Sequence, residues 1–174
     1  MNIFVTNECP VQAAIEHCNV HLVKMATESC QILSTVHYNL TGKVVGMQPT
    51  HYSHPCTVWA SKCSGNYLWL YEHYIELCHE YYRRYGKVHN AHLHSEKLVL
   101  PPQNIRAHSR TFFAKAMPDE FKAIPNAVLA YQAYLNHKFV GWRTRTDKKQ
   151  MPVEWTKRNI PAWVDVDNVF GEVK

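Results

Sequence analysis

Two stretches of the chain repeat apolar residues with a helical period, and the polar residues left over on them carry the information about chemistry. In the first, Leu22, Met25, Ala26, Ile32, Leu33 and Val36 fill one broad sector when residues are placed about 100° apart. His21, Lys24, Glu28, Gln31 and Thr35 fall beside it in a sector roughly 80° wide. An imidazole, an ammonium, a carboxylate and an amide thus share a narrow stripe on a helix whose other side is apolar. A helix carrying a proton-transfer site has this pattern. A solvated face with an i,i+4 ion pair has it too, although Lys N-terminal to Glu is the weaker orientation.

The second stretch, Asn66 to Tyr85, is the clearest helix. Tyr67, Leu70, Tyr71, Tyr74, Leu77, Cys78, Tyr81 and Tyr85 make its apolar face, and Gly86 stands where a C-terminal cap belongs. Glu72, Glu76, His79 and Arg83 face solvent, while Asn66, Trp69, His73, Glu80 and Arg84 lie at the boundary, placed to line a cleft. Asn2 to Thr6 reads as a strand or an extended arm. Pro10 suits the first turn of a helix, which continues through His17 into the main helix ending near Tyr38, with a break near Asn19. Residues 39 to 54 form a loop, and Pro55 opens a helix through Lys62. A weaker helix covers Ala91 to Val99, residues 103 to 125 are irregular, and a last helix runs from Asn126 to His137. The expected fold is mainly α: a compact single-domain helical bundle with its helical core at about 10–137. A short N-terminal extended arm precedes it, and an irregular basic C-terminal tail wraps it from about 138 to 174.

A length of 174 residues with 46% hydrophobic content supports one real core. No apolar run has membrane-spanning length and no signal peptide is evident, so a cytoplasmic protein is expected. The six cysteines form no C-x-x-C pair and read as reduced, mostly buried thiols. Charge is uneven: from Lys97 to Arg158 twelve Lys and Arg face four acids, a net of +8, against +5 for the whole chain. A basic second half is the footprint of a polyanion, and DNA is the expected partner. Trp142, Arg143, Arg145, Lys148, Lys149, Trp155, Lys157 and Arg158 interleave stacking faces with cations.

Thr50-His51-Tyr52-Ser53-His54-Pro55-Cys56 is the second notable cluster. Its spacing is not that of a zinc site, and no second ligand pair exists, so no metal is expected. His51 and His54 are placed to meet a phosphate or a base edge just before a helix N-terminus. A turn pinned by Pro49 and Pro55 is the structural alternative. There is no glycine-rich phosphate loop, no nucleophile elbow and no paired-aspartate signature, and no cofactor is implied. Glu28, the only acid on its stripe, suits a lone carboxylate acting as acid or base, or stabilising a cationic sugar.

The order of these parts resembles a family. An N-terminal arm leads into a helix with His21-Leu22 and Glu28, followed by Pro49-Thr50, His54 and the aromatic helix ending Glu76-Leu77-Cys78-His79-Glu80-Tyr81-Tyr82-Arg83-Arg84-Tyr85-Gly86. Over roughly its first half the chain is similar to the phage pyrimidine-dimer DNA glycosylase/AP-lyase family of endonuclease V type. It also resembles small proteins of tailed phages with a comparable His-x-x-Lys-x-x-x-Glu helix. The glycosylase resemblance implies a compact helical repair enzyme whose N-terminal amine attacks the sugar C1′ to form a Schiff base. A helix-borne glutamate assists, at the position of Glu28, and a base is flipped from the duplex. Two departures stand out. The family's arginines around the glutamate are absent, with Gln31 and Thr27 in that neighbourhood. Asn2 is also bulky for initiator-methionine removal, so the amine is that of Met1, or Lys24 replaces it if burial lowers its pKa.

The expectation is therefore an enzyme acting on a modified or damaged pyrimidine in DNA, with Glu28 and the Met1 or Lys24 amine at the sugar or base. His21 would orient Glu28 or share its proton, and Lys24 and Gln31 would bind substrate. Asn66, Trp69 and His73 would line the cleft. Arg84, Lys87, His51, His54, Arg143 and Arg145 would touch DNA. Two alternatives stand beside it. One is a phage transferase that hypermodifies a pyrimidine, for instance joining an amino acid co-substrate to an activated hydroxymethyl group. The other is a non-enzymatic nucleic-acid-binding or host-takeover protein whose polar stripe is a partner surface.

Overall fold

In the computed structural model, which describes residues 1–171, every regular element is helical. α1 (Pro10–Ile15) and α2 (Asn19–Thr41) are separate helices, the break falling at residues 16–18. α3 (Pro55–Ser61) and α4 (Ser64–Tyr85) follow, and α4 ends at Gly86 in the left-handed conformation (φ 67°), as its sequence position predicts. The weak helix expected over 91–99 is a 3₁₀ turn (Asn90–His94) running into the short α5 (Ser95–Leu98). α6 (Asp119–Lys122) interrupts the irregular stretch, α7 spans Ala127–Thr144, and α8 (Val166–Phe170) lies near the end. No helix among the described residues is long and apolar enough to cross a membrane.

One apolar core joins these elements. Leu22, Met25, Ile32, Leu33 and Val36 of α2 meet Tyr67, Leu70, Tyr74 and Leu77 of α4, all nearly or wholly buried. The six cysteines are free thiols, five buried and Cys9 exposed. The N-terminal arm is no strand. Ile3, Phe4 and Val5 are buried in the core, so residues 1–6 thread through the protein rather than lie on it. Asn2 fixes the entry: its Oδ1 accepts from the amides of Ile3 and Phe4, and its Nδ2 donates to the Ala116 carbonyl at 2.6 Å. Phe4 bends the arm through a left-handed backbone (φ 39°), a conformation costly for an aromatic residue and held by its ring packing on His21, Tyr131 and Tyr134.

α7 runs seven residues past its expected end at His137. Its second half is held by packing: Phe139 is buried among Trp142, Trp155 and Trp163, and Gly141, the weak residue in the middle, costs little because its neighbours are anchored. The segment after α7 wraps the body. Glu154 O accepts from the Asn19 amide at the start of α2, and the buried Trp155 indole donates to Glu16 O at 2.8 Å.

A buried ion network ties α4 to this wrap. Arg84 and Glu80 are fully buried side chains, and Arg84 Nε donates to Glu80 Oε1 at 2.8 Å. Its terminal nitrogens donate to the carbonyls of Ile15 and His17, both at 2.9 Å, which the end of α1 leaves without helical partners. Arg158 closes on the same carboxylate from the C-terminal segment, Nε to Oε1 at 2.9 Å and a terminal nitrogen to Oε2 at 2.8 Å. Burial would raise the Glu80 pKa, but the hydrogen bonds from Arg158 and Arg84 outweigh it and hold the carboxyl below its usual value. Arg84 is thus a structural cation, not the DNA contact expected from its place on the helix.

His73 is likewise internal. Its Nδ1 pairs with Pro10 O at 3.0 Å, it stacks on Trp69, and it neighbours His17, whose Nδ1 pairs with Ala13 O at 2.6 Å. Burial first, then the nearby His73 and His21 rings, holds His17 well below its usual pKa. Burial, partly offset by the Pro10 bond, brings His73 down to about 4.

Arg84→Met, which strands part of a buried carboxylate and two carbonyls, should cost about 3 to 5 kcal/mol in chemical denaturation. A loss below about 1 kcal/mol would show that Arg158 alone satisfies Glu80. The imidazoles give a pH signature. Unfolded histidine titrates near 6.5, so below that value the unfolded chain takes up protons that the folded one refuses. The stability from neutral His17 and His73 is whole above about pH 6.5 and falls toward pH 4, by about 1.4 kcal/mol per pH unit for each ring. Thermal midpoints should therefore drop between pH 7 and 5, and His73→Gln should flatten that slope. An unchanged slope would mean that His73 accepts its proton while folded.

Candidate active site

Glu28 sits in the third turn of α2, its side chain only 10% exposed. It is met from three sides. The Asn2 amide donates to Oε2 at 2.7 Å, the Met1 amine lies 3.8 Å from the same oxygen, and Lys24 Nζ lies 3.3 Å from Oε1. Threading the arm through the core brings the chain terminus to this carboxylate, and the Asn2 side chain holds the arm in register. The expected stripe is real: Lys24 and Glu28 pair across one turn, and Gln31, half-buried, follows on the next.

Met1, Asn2, Lys24 and Glu28 open onto a cavity of about 450 Å³, of the size that holds small ligands, and Gln31 does not line it. Met1, Asn2, Phe4, His21, Lys24 and Glu28 form one wall. The other comes from the second half of the chain, with Ala116, Tyr134, Lys138, Trp142 and Met151. The sequence pattern ends the last helix at His137 and so leaves Lys138 outside it, whereas α7 continues to Thr144. On the longer α7, Tyr134, Lys138 and Trp142 are spaced by four and form a single stripe. Lys138 Nζ lies 5.5 to 5.8 Å from the ring centres of Trp142, Tyr134 and Phe4, within cation–π range. It has no carboxylate partner among the described residues. Burial, then the nearby Lys24, lowers its pKa, with Glu28 opposing.

His21 lines the cavity but makes no hydrogen bond to Glu28, and its Nε2 is buried without a partner. It packs between Phe4 and Trp142 at 4.6 and 4.8 Å. Burial, then Lys138 and Lys24, brings its pKa to about 3, so the ring is neutral. A proton shared between His21 and Glu28 does not fit this geometry, because the ring is turned into aromatic packing rather than toward the carboxylate. The imidazole is a wall.

On the far side of the terminus, His54 is the N-cap of α3, its Nδ1 accepting from Cys56 N at 3.2 Å. Burial lowers its pKa, and the terminal amine and His51 lower it further, while Glu28 opposes. His54 therefore belongs to the same electrostatic neighbourhood as Met1 and Glu28. His51 is exposed, in a left-handed conformation (φ 54°), and pairs with Thr50 Oγ1. Thr35, the last residue of the stripe, anchors this loop: its hydroxyl accepts from Thr50 N at 3.1 Å and donates to Thr50 O at 3.0 Å. Among the described residues no three His, Cys, Asp or Glu side chains are placed to share a metal ion.

The remaining expected contacts lie elsewhere. Asn66 is wholly buried and binds Trp59 O and Thr111, and Trp69 donates from its indole to Glu8 O. Both are internal, as are His73 and Arg84, so the cleft expected along α4 is instead filled by other backbone. Lys87 is exposed just beyond α4 and does not line the cavity. Arg143 rests on the Phe170 ring at 5.1 Å and borders a neighbouring groove that shares Met151 with the cavity. Arg145 is bound to Lys149 O, closing its own loop.

The arrangement supplies an amine, a carboxylate within ion-pair reach of it, two further cations and an aromatic wall around a space for a ligand. Residues 1–93, which include the arm, Glu28, His54 and α4, match the family model of pyrimidine dimer DNA glycosylases. No curated protein and no solved structure matches the chain. The match spans more than half of the sequence and includes the amine-and-carboxylate wall of the cavity: the chain belongs to the pyrimidine dimer DNA glycosylase family.

Proposed function

We propose that this protein releases a damaged or modified pyrimidine from DNA and cleaves the resulting abasic site, with the Met1 amine as nucleophile and Glu28 as the acid–base group. The observation that carries the reading is the 3.8 Å approach of the terminal amine to a buried carboxylate at the edge of a ligand-sized cavity. The nucleophile is the amine in its unprotonated form. Its nitrogen attacks C1′ of the deoxyribose, and the bond from C1′ to the base breaks with its electron pair leaving on the base, which takes up a proton. Opening of the sugar ring gives a protonated imine between the amine and C1′. Glu28 then removes a proton from C2′. The electrons form the C2′–C3′ double bond and expel the 3′ phosphate, and water hydrolyses the imine to free the amine.

Lys24 and Lys138 favour the anionic substrate in this scheme, and the hydrogen bond from the Asn2 amide holds the Glu28 carboxyl in place. The basic stretch from Lys97 to Arg158 provides long-range attraction to the phosphate backbone.

Borohydride should trap a covalent adduct with DNA carrying a pyrimidine dimer or an abasic site, and peptide mapping should place it on Met1. An adduct on Lys24 would move the nucleophile one turn along the same stripe. Glu28→Gln should lower strand cleavage by about 10²- to 10⁴-fold while DNA binding persists. Extending the N-terminus by a few residues should abolish trapping without unfolding the protein. If no base is released and no adduct forms on any such DNA, the reading fails. Nucleosides that gain mass instead of losing the base would establish the transferase.

A further inference from the structure

The segment from Arg106 to Ala116 has no regular structure, yet it is fastened along its whole length. Arg106 O and His108 O accept from the amides of Ser64 and Gly65 at 2.9 and 3.0 Å, capping the first turn of α4. A side chain at Gly65 would collide with the backbone of Ser109 and Arg110, so glycine is what allows the strap to lie flush. Thr111 donates from its amide to Asn66 Oδ1 at 2.8 Å and accepts from Asn66 Nδ2 at 2.9 Å. Phe113 is buried against Trp69 and Trp59, at 4.8 and 5.4 Å between ring centres. Ala114 O and Ala116 N both bind the Tyr131 hydroxyl. Asn66 and Trp69, expected to touch substrate, are thus the fastenings of this strap.

Between two anchored neighbours, Phe112 is 98% exposed. A lone surface aromatic needs no explanation, but this one is presented rigidly and in particular company. Arg106 and His108 lie exposed before it on the strap, Arg110 pairs with Glu8 and lies over the Phe113 ring at 4.1 Å, and Lys115 Nζ donates to the Lys122 carbonyl at 3.1 Å. The strap runs directly into the active site, because Ala116 lines the cavity and its carbonyl binds Asn2, whose amide holds Glu28. Four residues span at most about 14 Å, which is about four base-pair steps.

We propose that Phe112 is a wedge that inserts between base pairs beside the target nucleotide. Its ring unstacks the duplex and lowers the cost of bringing that nucleotide to Glu28. Apolar side chains carried on a cationic surface open base steps in this way in proteins that bend DNA, and extrusion of a paired base is otherwise costly. The rigid fastening matters, since a ring on a loose loop would fold back onto the protein instead of entering the stack. The inference rests on DNA being the substrate, and it assigns a role to a segment outside residues 1–93.

The test uses the full chain and duplex DNA with 2-aminopurine next to an abasic site. Binding of the Glu28→Gln protein should raise the fluorescence as the step unstacks. Adding Phe112→Ala should remove most of that rise, and Phe112→Leu should retain it. In the otherwise unmodified enzyme, Phe112→Ala should lower the ratio of cleavage on duplex to cleavage on single-stranded abasic DNA by about 10-fold. An unchanged ratio, or an equal loss on both substrates, would overturn the wedge while leaving the proposed function intact. So would a loss of self-association in sedimentation with the duplex ratio unchanged, which would assign the ring to a contact between copies. If the unmodified enzyme cleaves neither substrate, the proposed function falls and the wedge with it.

Discussion

A carboxyl group removed from water must be met by hydrogen-bond donors, and Glu28 is met by Met1 and Asn2. This single requirement accounts for much of the architecture. For Met1 and Asn2 to reach the middle of α2, residues 3–5 have to pass through the core, which they do as three consecutive buried apolar side chains. The arm has no sheet to pair with, so its polar backbone is satisfied piecemeal: Asn2 turns back on the amides that follow it, and Gln132 of α7 donates to Thr6 O. The left-handed turn at Phe4 is the local cost of bending a short arm into this position.

The second constraint is that the arm needs a roof. α7 supplies it, and α7 is in turn held by the segment that follows, through Trp155, Trp163 and the Arg158 clamp on Glu80. Removing the arm from its channel would expose α2 and α7 together. The imidazoles His17, His21 and His73 are kept neutral first by their burial, and no carboxylate offsets it.

The stripe on α2 and the long aromatic helix were legible in the sequence because each is a local periodicity, and local periodicity is set by the residues themselves. Lys24, Glu28 and Gln31 fell where the stripe put them. The boundary residues of α4 were misjudged for a physical reason. Asn66, Trp69, His73 and Arg84 are polar groups at the edge of an apolar face, and such groups look alike whether they await a ligand or a stretch of backbone. Their partners are main-chain carbonyls of Trp59, Glu8, Pro10 and Ile15, which carry no mark in the sequence. Lys138 was hidden differently. Its helix has a weak apolar pattern and a glycine, so only the packing of Phe139 and Trp142 shows that it continues. The division of the cavity follows the same line: the wall from residues 1–28 lies within the family match, and the wall from 116–151 lies beyond it.

That division bears on how the site is assembled. The amine and the acid lie within residues 1–28, but the channel that positions them is roofed by α7, about a hundred residues further along the chain. A chain cut before α7 would therefore hold the amine and the carboxylate without the frame that aligns them. The cavity is complete only when residues 1–28 and 116–151 have come together, so its assembly coincides with closure of the tertiary fold.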